Sequence, residues 1–159
     1  MQVLDASAVI CAWDNYPPEQ LPGIWDWLAE EIRLTRLAIP DVALNEVGHK
    51  IPECRVWLKA QEIHVLPTSE AVLLEALRLK TLIGVESERY NPKGVDENDL
   101  IIIAAARLHG AELISNEARQ TGQRVAAKCK IPAVCAMAEV DVTCLNFLEY
   151  LKRTGRIFR

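Results

Sequence analysis

Six acidic residues stand where apolar stretches end or begin. Asp5 follows Val3-Leu4, and Glu46 lies in the stretch entered after Leu37-Ala38-Ile39. Asp96, Glu97 and Asp99 lead the run Leu100–Ala106, and Glu117 comes just after Leu113-Ile114. If the apolar stretches are parallel strands, their ends meet at one sheet edge, and Asp5, Glu46, Asp99 and Glu117 converge there. Two carboxylates ~4 Å apart repel by about 4 kcal/mol at the dielectric of a protein surface. That is comparable to the whole stability of a domain, roughly 5–15 kcal/mol, so such a cluster calls for protons or a cation. A ligand set made only of carboxylate oxygens suits Mg²⁺ or Mn²⁺ better than zinc. The cysteines (Cys11, Cys54, Cys129, Cys135, Cys144) form no CxxC pair, and His49, His64 and His109 share no HxxxH spacing, so zinc chemistry has little support.

Each acid also has a plainer reading. Asp96 and Glu97, taken alone, read better as residues that cap a helix and oppose its dipole, for about 0.3–1 kcal/mol each. Asp99 sits one turn in and heads the apolar run. Glu46 alone is a solvated helix residue, and Glu117 alone an ordinary loop acid. Asp5 carries the strongest individual signal, because a carboxylate that closes a buried strand is costly without a purpose. Ser7, two residues on, either steadies Asp5 or caps the following helix.

These residues need a scaffold. Short strands are expected over Met1–Leu4, Leu37–Ile39, Ile63–Leu66, Glu112–Ile114 and Val140–Thr143. Helices are expected from Ala8–Trp13, Ile24–Leu34, Asp41–His49, Cys54–Gln61, Glu70–Thr81, Glu97–His109, Ile131–Ala138 and Leu145–Lys152. Pro17-Pro18 forces a turn, Asp96 is placed to cap one helix, and Gly110 to end it. Strands alternating with helices predict an α/β domain around a mostly parallel sheet, with any ligand beyond the carboxyl ends of the strands.

Val3-Leu4-Asp5-Ala6-Ser7, Val42–Val47, Asn98–Ala106 and Leu113–Glu117 resemble, in order and spacing, the four motif blocks of PIN-domain proteins. Asp14–Pro18 leading into Trp25–Leu28, and Lys130–Cys135 leading into Leu145–Leu151, resemble a subgroup of uncharacterised PIN-like proteins. The resemblance implies a three-layer α/β fold, with a central, mostly parallel sheet of four to five short strands flanked by helices. It implies a metal-dependent endoribonuclease that uses Mg²⁺ or Mn²⁺ to hydrolyse RNA, often the toxin of a bacterial toxin–antitoxin pair. Asp5, Glu46 and Asp99 fall on the family's acidic positions. Glu117 stands where Asp is more usual and Ser115 where Thr is common, a departure that bears on a second ion more than on the first. On this reading Asp5 and Asp99 are direct ligands, and Glu46 holds a second ion or orients the attacking water. Glu117 binds outer-sphere, supported by Ser7, Ser115, Asn116 and Asp96. The alternative is a catalytically weak PIN-like module that binds RNA or protein. A phosphoaspartyl enzyme ranks lower, because Ser7 stands where a second Asp is usual.

Length and charge set the remaining limits. The 159 residues, 50% of them apolar, predict a single domain over 1–159. With 18 basic and 22 acidic residues the net charge is −4, so RNA must be held by a local patch. Arg119, Arg124, Lys128 and Lys130, in a stretch without acids, are the candidate patch for the RNA backbone, against the plainer reading of a solvated loop. Trp13, Trp25, Trp27 and Trp57 fit core packing better than base stacking. The Trp13–Leu28 stretch also suits contact with an antitoxin or a second copy in a homodimer. No apolar run approaches the ~20 residues of a membrane span, and the N-terminus does not read as a secretory signal. The expectation is a cytoplasmic protein with reduced thiols and no membrane partner.

Overall fold

Five strands, none longer than four residues, form a single parallel sheet in a computed structural model that describes residues 1–159. They are β1 (Gln2–Leu4), β2 (Leu37–Pro40), β3 (His64–Leu66), β4 (Glu112–Ile114) and β5 (Cys144–Leu145), in the spatial order β3-β2-β1-β4-β5. The chain builds outward from β1 through β2 to β3, then returns to the other side of β1 for β4 and β5. The reversal therefore lies between β1 and β4, where open α/β sheets leave a crevice beyond the carboxyl ends. Leu4 is in register with Ile114, so Asp5 and Ser115 leave the sheet side by side at that point.

Leu37, Ala38 and Ile39 are consecutive and fully buried. Successive strand residues point to opposite faces, so both faces of the sheet are covered. The cover comes from eight helices: α1 (Ala6–Asn15), α2 (Pro22–Arg33), α3 (Asp41–Lys50), α4 (Pro52–Ala60), α5 (Glu70–Leu82), α6 (Glu97–Leu108), α7 (Ile131–Cys135) and α8 (Phe147–Arg153). Seven consecutive residues of α6, Leu100 to Ala106, are buried. A helix apolar all round is one that other elements surround, and α6 packs against α3, α5, α7, β1, β2 and β4. No helix is long and apolar enough to cross a membrane.

The tryptophans pack inward, as the helical register of Trp25 with Leu28 and Ile32 predicts. Trp25 lies edge-on to Trp13 and to Trp57, with ring centroids 5.1 and 4.9 Å apart. Its indole N–H donates to the Tyr16 carbonyl at 2.6 Å. Trp27 is buried and packs on Tyr150 at 5.2 Å. Neither buried ring is free to stack on a base.

Several boundaries differ from expectation. The last strand is Cys144–Leu145, not Val140–Thr143. Val140 and Val142 are buried, which mimics strand alternation, but Asp141 adopts φ 50° and the Val142 N–H goes to the Cys135 carbonyl. Sheet pairing begins only when the Leu113 N–H reaches the Thr143 carbonyl at 2.9 Å. Helix α8 starts at Phe147 and not Leu145, because Asn146 and Glu149 form a reciprocal capping box. Helix α7 ends early, at Cys135, and α1 begins at Ala6, which places Ser7 inside it.

Candidate metal centre

Asp5 ends β1 and begins α1. Its N–H donates to the Ile114 carbonyl of β4 at 2.9 Å, and its carbonyl accepts from Ala8 and Val9, the first bonds of the helix. Its carboxylate is thus set at the positive end of α1. The side chain is 2% exposed, and of the buried residues only Asp5, Glu31 and Ser115 are polar or charged. The hydroxyls of Ser7 and Ser115 both donate to Oδ2, the second at 2.9 Å. Oδ1 therefore keeps its lone pairs. Of the two roles open to Ser7, the structure shows the one of steadying Asp5. Burial pushes the Asp5 pKa up against the pull of those hydroxyls, and the charges of Glu46 and Glu117 push it further.

The hydroxyl network continues into the bend after β4 that carries Glu117. Asn116 N–H donates to Ser7 Oγ at 2.9 Å, and Glu117 N–H to Ser115 Oγ at 3.2 Å. The Asn116 side chain donates to Cys11 Sγ at 3.0 Å and accepts the Phe147 N–H at 2.9 Å. It ties α1, β4 and α8 together at the edge of the site. Cys11 was not a sequence candidate; its spacing of four from Ser7, which places both on one face of α1, is the signal that points to it.

Asp99 is the third residue of α6. Its carboxylate accepts the Asp96 N–H at 3.0 Å while Asp96 accepts the Asp99 N–H at 2.9 Å. The capping reading of Asp96 therefore holds, and Asp99 takes part in the cap. Burial, with the charges of Asp96, Asp5 and Glu117, pushes the Asp99 pKa up to about 8, against the pull of the Asp96 backbone hydrogen bond. Asp96→Ala removes one half of this box. A fall in stability of about 0.5–2 kcal/mol is expected, read as a drop of roughly 2–4 °C per kcal/mol in a calorimetric melt. An unchanged melting temperature would show that the cap contributes nothing.

Glu46, on α3, is half-buried and pairs with Lys50 at 3.1 Å. Glu117 is half-buried and lies 3.7 Å from Lys130. Asp5, Asp99 and Glu117 thus share one electrostatic field at the β1/β4 crevice, with Glu46 acting on Asp5. As the side chains stand, no three His, Cys, Asp or Glu residues are arranged as a ready-made cage for an ion. Glu46 rests on Lys50 and Glu117 on Lys130, whereas Asp5 and Asp99 each accept their internal hydrogen bonds on Oδ2. The donor set itself fits a hard divalent cation, since it is all carboxylate oxygen, with Asp5 and Asp99 pushed toward protonation by burial and neighbouring charge and an open Oδ1 on Asp5.

The basic stretch is more divided than its sequence suggests. Arg119 is bound to Glu149 and Lys130 to Glu117, whereas Arg124 and Lys128 form no ion pair. Gln120 holds the neck of the loop: its amide donates to the Lys128 carbonyl at 3.0 Å and accepts the Lys130 N–H at 2.7 Å. The loop docks on the segment before α6, where Val95 N–H donates to the Cys129 carbonyl at 2.9 Å. A Cβ on Gly94 would lie 2.0 Å from the Ala127 carbonyl oxygen, so this close approach requires glycine.

A family profile described as "Domain of unknown function (DUF4411)" matches residues 2–158. No curated protein matches the sequence. Among solved structures, VapBC2 from Rickettsia felis, crystallised bound to a DNA fragment from their promoter, is similar with a TM-score of 0.53 at 16% identity, over 81% of this chain and 96% of that one. PAE2754 from Pyrobaculum aerophilum is similar with a TM-score of 0.52 at 19% identity, over 97% of this chain and 96% of that one. These likenesses establish a shared architecture: the parallel sheet with helices on both faces is a PIN-like three-layer fold.

Proposed function

The chain belongs to the DUF4411 family, a domain of unknown function, and from its PIN-like fold and its acidic cluster we propose that it is a cytoplasmic, metal-dependent endoribonuclease. Its substrate is RNA and its cofactor Mg²⁺ or Mn²⁺. Asp5 carries the reading: a 2%-exposed carboxylate, held by two hydroxyls with one oxygen free, which feels the charges of Glu46 and Glu117 and itself acts on Asp99. A bound divalent ion supplies Lewis acidity, which activates water and offsets the charge that grows on a phosphoryl oxygen.

The protein's own groups do the rest. Asp5 and Asp99 hold the ion, and Ser7 and Ser115 fix the rotamer of Asp5 through Oδ2. Glu46, freed from Lys50, orients the attacking water. Glu117 stands at the outer side of the centre, with Asn116 locking the turn that presents it. Arg124 and Lys128 hold the RNA backbone. The resemblance to PIN toxins, and the similarity to VapBC2, support a place as the toxin of a toxin–antitoxin pair, with an antitoxin protein as partner.

Because Arg119 and Lys130 already have acidic partners, the phosphate contacts are assigned to the two cations without one. Replacing Arg124 and Lys128 by Ala should weaken RNA binding and flatten its salt dependence by about 0.7 in log–log slope for each lost contact on a single strand. Fluorescence anisotropy across a salt series reads both; an unaltered slope would remove this loop from the binding surface.

The absence of a preformed cage of three acids favours a second reading, a PIN-like module that binds RNA or protein without cutting. Incubation of mixed-sequence RNA with Mn²⁺ separates the two. Cleavage by the wild type that is lost in Asp99→Asn supports the enzyme. RNA that is bound but left intact supports the module.

A further inference from the structure

Two of the five thiols adjoin one another. Cys135 ends α7 and Cys144 begins β5, and the helix packs against the strand. The loop between them is fixed by its own backbone. Val140 and Asp141 N–H donate to the Met137 carbonyl at 3.0 and 2.9 Å, and Asp141 turns the chain at φ 50°. Val142 N–H then reaches back to the Cys135 carbonyl at 3.1 Å. The chain thus returns to Cys135 just before Cys144, and the Cys135 thiol donates a hydrogen bond to Cys144 Sγ. Cys135 is buried, whereas Cys144 is half-buried and opens on a cavity of about 320 Å³ that Arg119, Gln120 and Thr121 also line. The other thiols lack this arrangement. Cys54 and Cys129 are buried, and Cys11 Sγ accepts from the side-chain amides of Asn116 and Asn15 at 3.0 and 3.4 Å.

We propose that Cys144 and Cys135 form a redox-active dithiol, in which hydrogen peroxide oxidises Cys144 and Cys135 resolves the product as a disulfide. The thiolate, not the thiol, is the attacking species. The hydrogen bond from Cys135 holds the Cys144 thiol below its ordinary range, with Arg119 acting the same way, against burial and the charges of Asp5 and Glu149. The same hydrogen bond, with burial, pushes Cys135 up. The accessible thiol is therefore the nucleophile, and its buried neighbour stays protonated until the second step. Cys144 sulfur attacks one peroxide oxygen, the O–O bond breaks, and the departing hydroxide leaves as water with the proton that the Cys144 thiol gave up. Cys135 sulfur then attacks the sulfur of the Cys144 sulfenic acid, loses its own proton, and expels the hydroxyl as a second water. Two thiols have become one disulfide and one peroxide two waters. Disulfides of this reversible kind are the ones that a reducing compartment permits. Cys144 is in register with Leu113, and the Leu145 carbonyl accepts the Ser115 N–H at 2.8 Å. The pair thus lies beside the strand that leads to a hydroxyl partner of Asp5, but its chemistry does not depend on the nuclease reading.

The test is thiol mapping by mass spectrometry. The full chain, reduced and kept in EDTA, is treated with hydrogen peroxide, then denatured, blocked with iodoacetamide and digested with trypsin. Cys135 and Cys144 both lie in the tryptic peptide Ile131–Lys152. The expected result is that this peptide loses two hydrogens and takes up iodoacetamide only after dithiothreitol, while Cys54 and Cys129 are alkylated at once. In Cys135→Ser the sulfenic acid has no thiol to resolve it, and dimedone should label Cys144. In Cys144→Ser neither a disulfide nor a label on Cys135 should form. Circular dichroism checks the folding of both variants, and the wild-type map decides the matter even if a variant fails to fold. Free thiols at both positions after peroxide, oxidation of Cys144 that leaves Cys135 free, or a link from either to Cys11 would overturn the proposal.

Discussion

Replacing Asp5 by Asn is expected to stabilise the metal-free protein at neutral pH and, in the same molecule, to abolish Mn²⁺-dependent RNA cleavage. The two effects have one cause. Burial raises the Asp5 pKa in the folded state, so the carboxyl contributes its full stability below the unfolded value and loses it as pH rises through the folded one. At neutral pH its ionised form is a cost. Asn has the same shape, keeps an oxygen to accept from Ser7 and Ser115, and carries no charge. Loss of an outer-shell group around a metal already reduces affinity or activity about 10–100-fold, so loss of a direct ligand should reduce cleavage by more than about 10²-fold. A melt in EDTA and a cleavage assay read the two sides. A purely structural Asp5 would give the opposite pattern, in which the melting temperature and activity fall together.

The second large effect is on pH dependence. Asp99 has a pKa of about 8 in the fold against 3.8 as its usual value. The folded state therefore binds the proton more tightly than the unfolded chain throughout that window, and metal-free stability should decline from about pH 4 to about pH 8. The decline should be on the order of a few kcal/mol, readable as a fall in the urea midpoint. Glu112, which Arg153 holds down to about 2, acts with the opposite sign and only below its usual 4.5, so it touches no more than the acid end of this window. Asp99→Asn retains an acceptor for the Asp96 N–H while removing the titration, and should flatten the profile. Saturating Mn²⁺ should flatten it in the wild type as well, since the ion binds the ionised form and raises stability by mass action. A stability that rises between pH 5 and about pH 8 in EDTA would contradict the placement of Asp99, half-buried, beside Asp96, Asp5 and Glu117.

What the sequence shows best is the frame. Asp5 after Val3-Leu4, Glu117 after Leu113-Ile114 and the capping pair Asp96 and Asp99 before an apolar run are local patterns, and the parallel sheet carries them to one edge. The run Leu100–Ala106 has no amphipathic period, yet its length and its cap identify it as a helix. The last strand is misread because Val140 and Val142 are buried by a turn rather than by pairing, and alternation alone cannot distinguish the two. The ion pairs are the least legible feature. Arg119 with Glu149, Lys130 with Glu117 and the Gln120 clasp join residues that only the tertiary fold brings together, so a stretch that reads as four free cations holds two.

The central claim is that Asp5 and Asp99 together hold a divalent ion at the β1/β4 crevice. Crystals soaked in Mn²⁺ and measured for anomalous scattering test it directly. The predicted result is a peak within about 2.0–2.2 Å of a carboxylate oxygen of Asp5 and of one from Asp99, with the ligand distances of a small hard cation. Saturating Mn²⁺ that leaves no peak between these two residues, or gives one only elsewhere on the surface, would contradict the account.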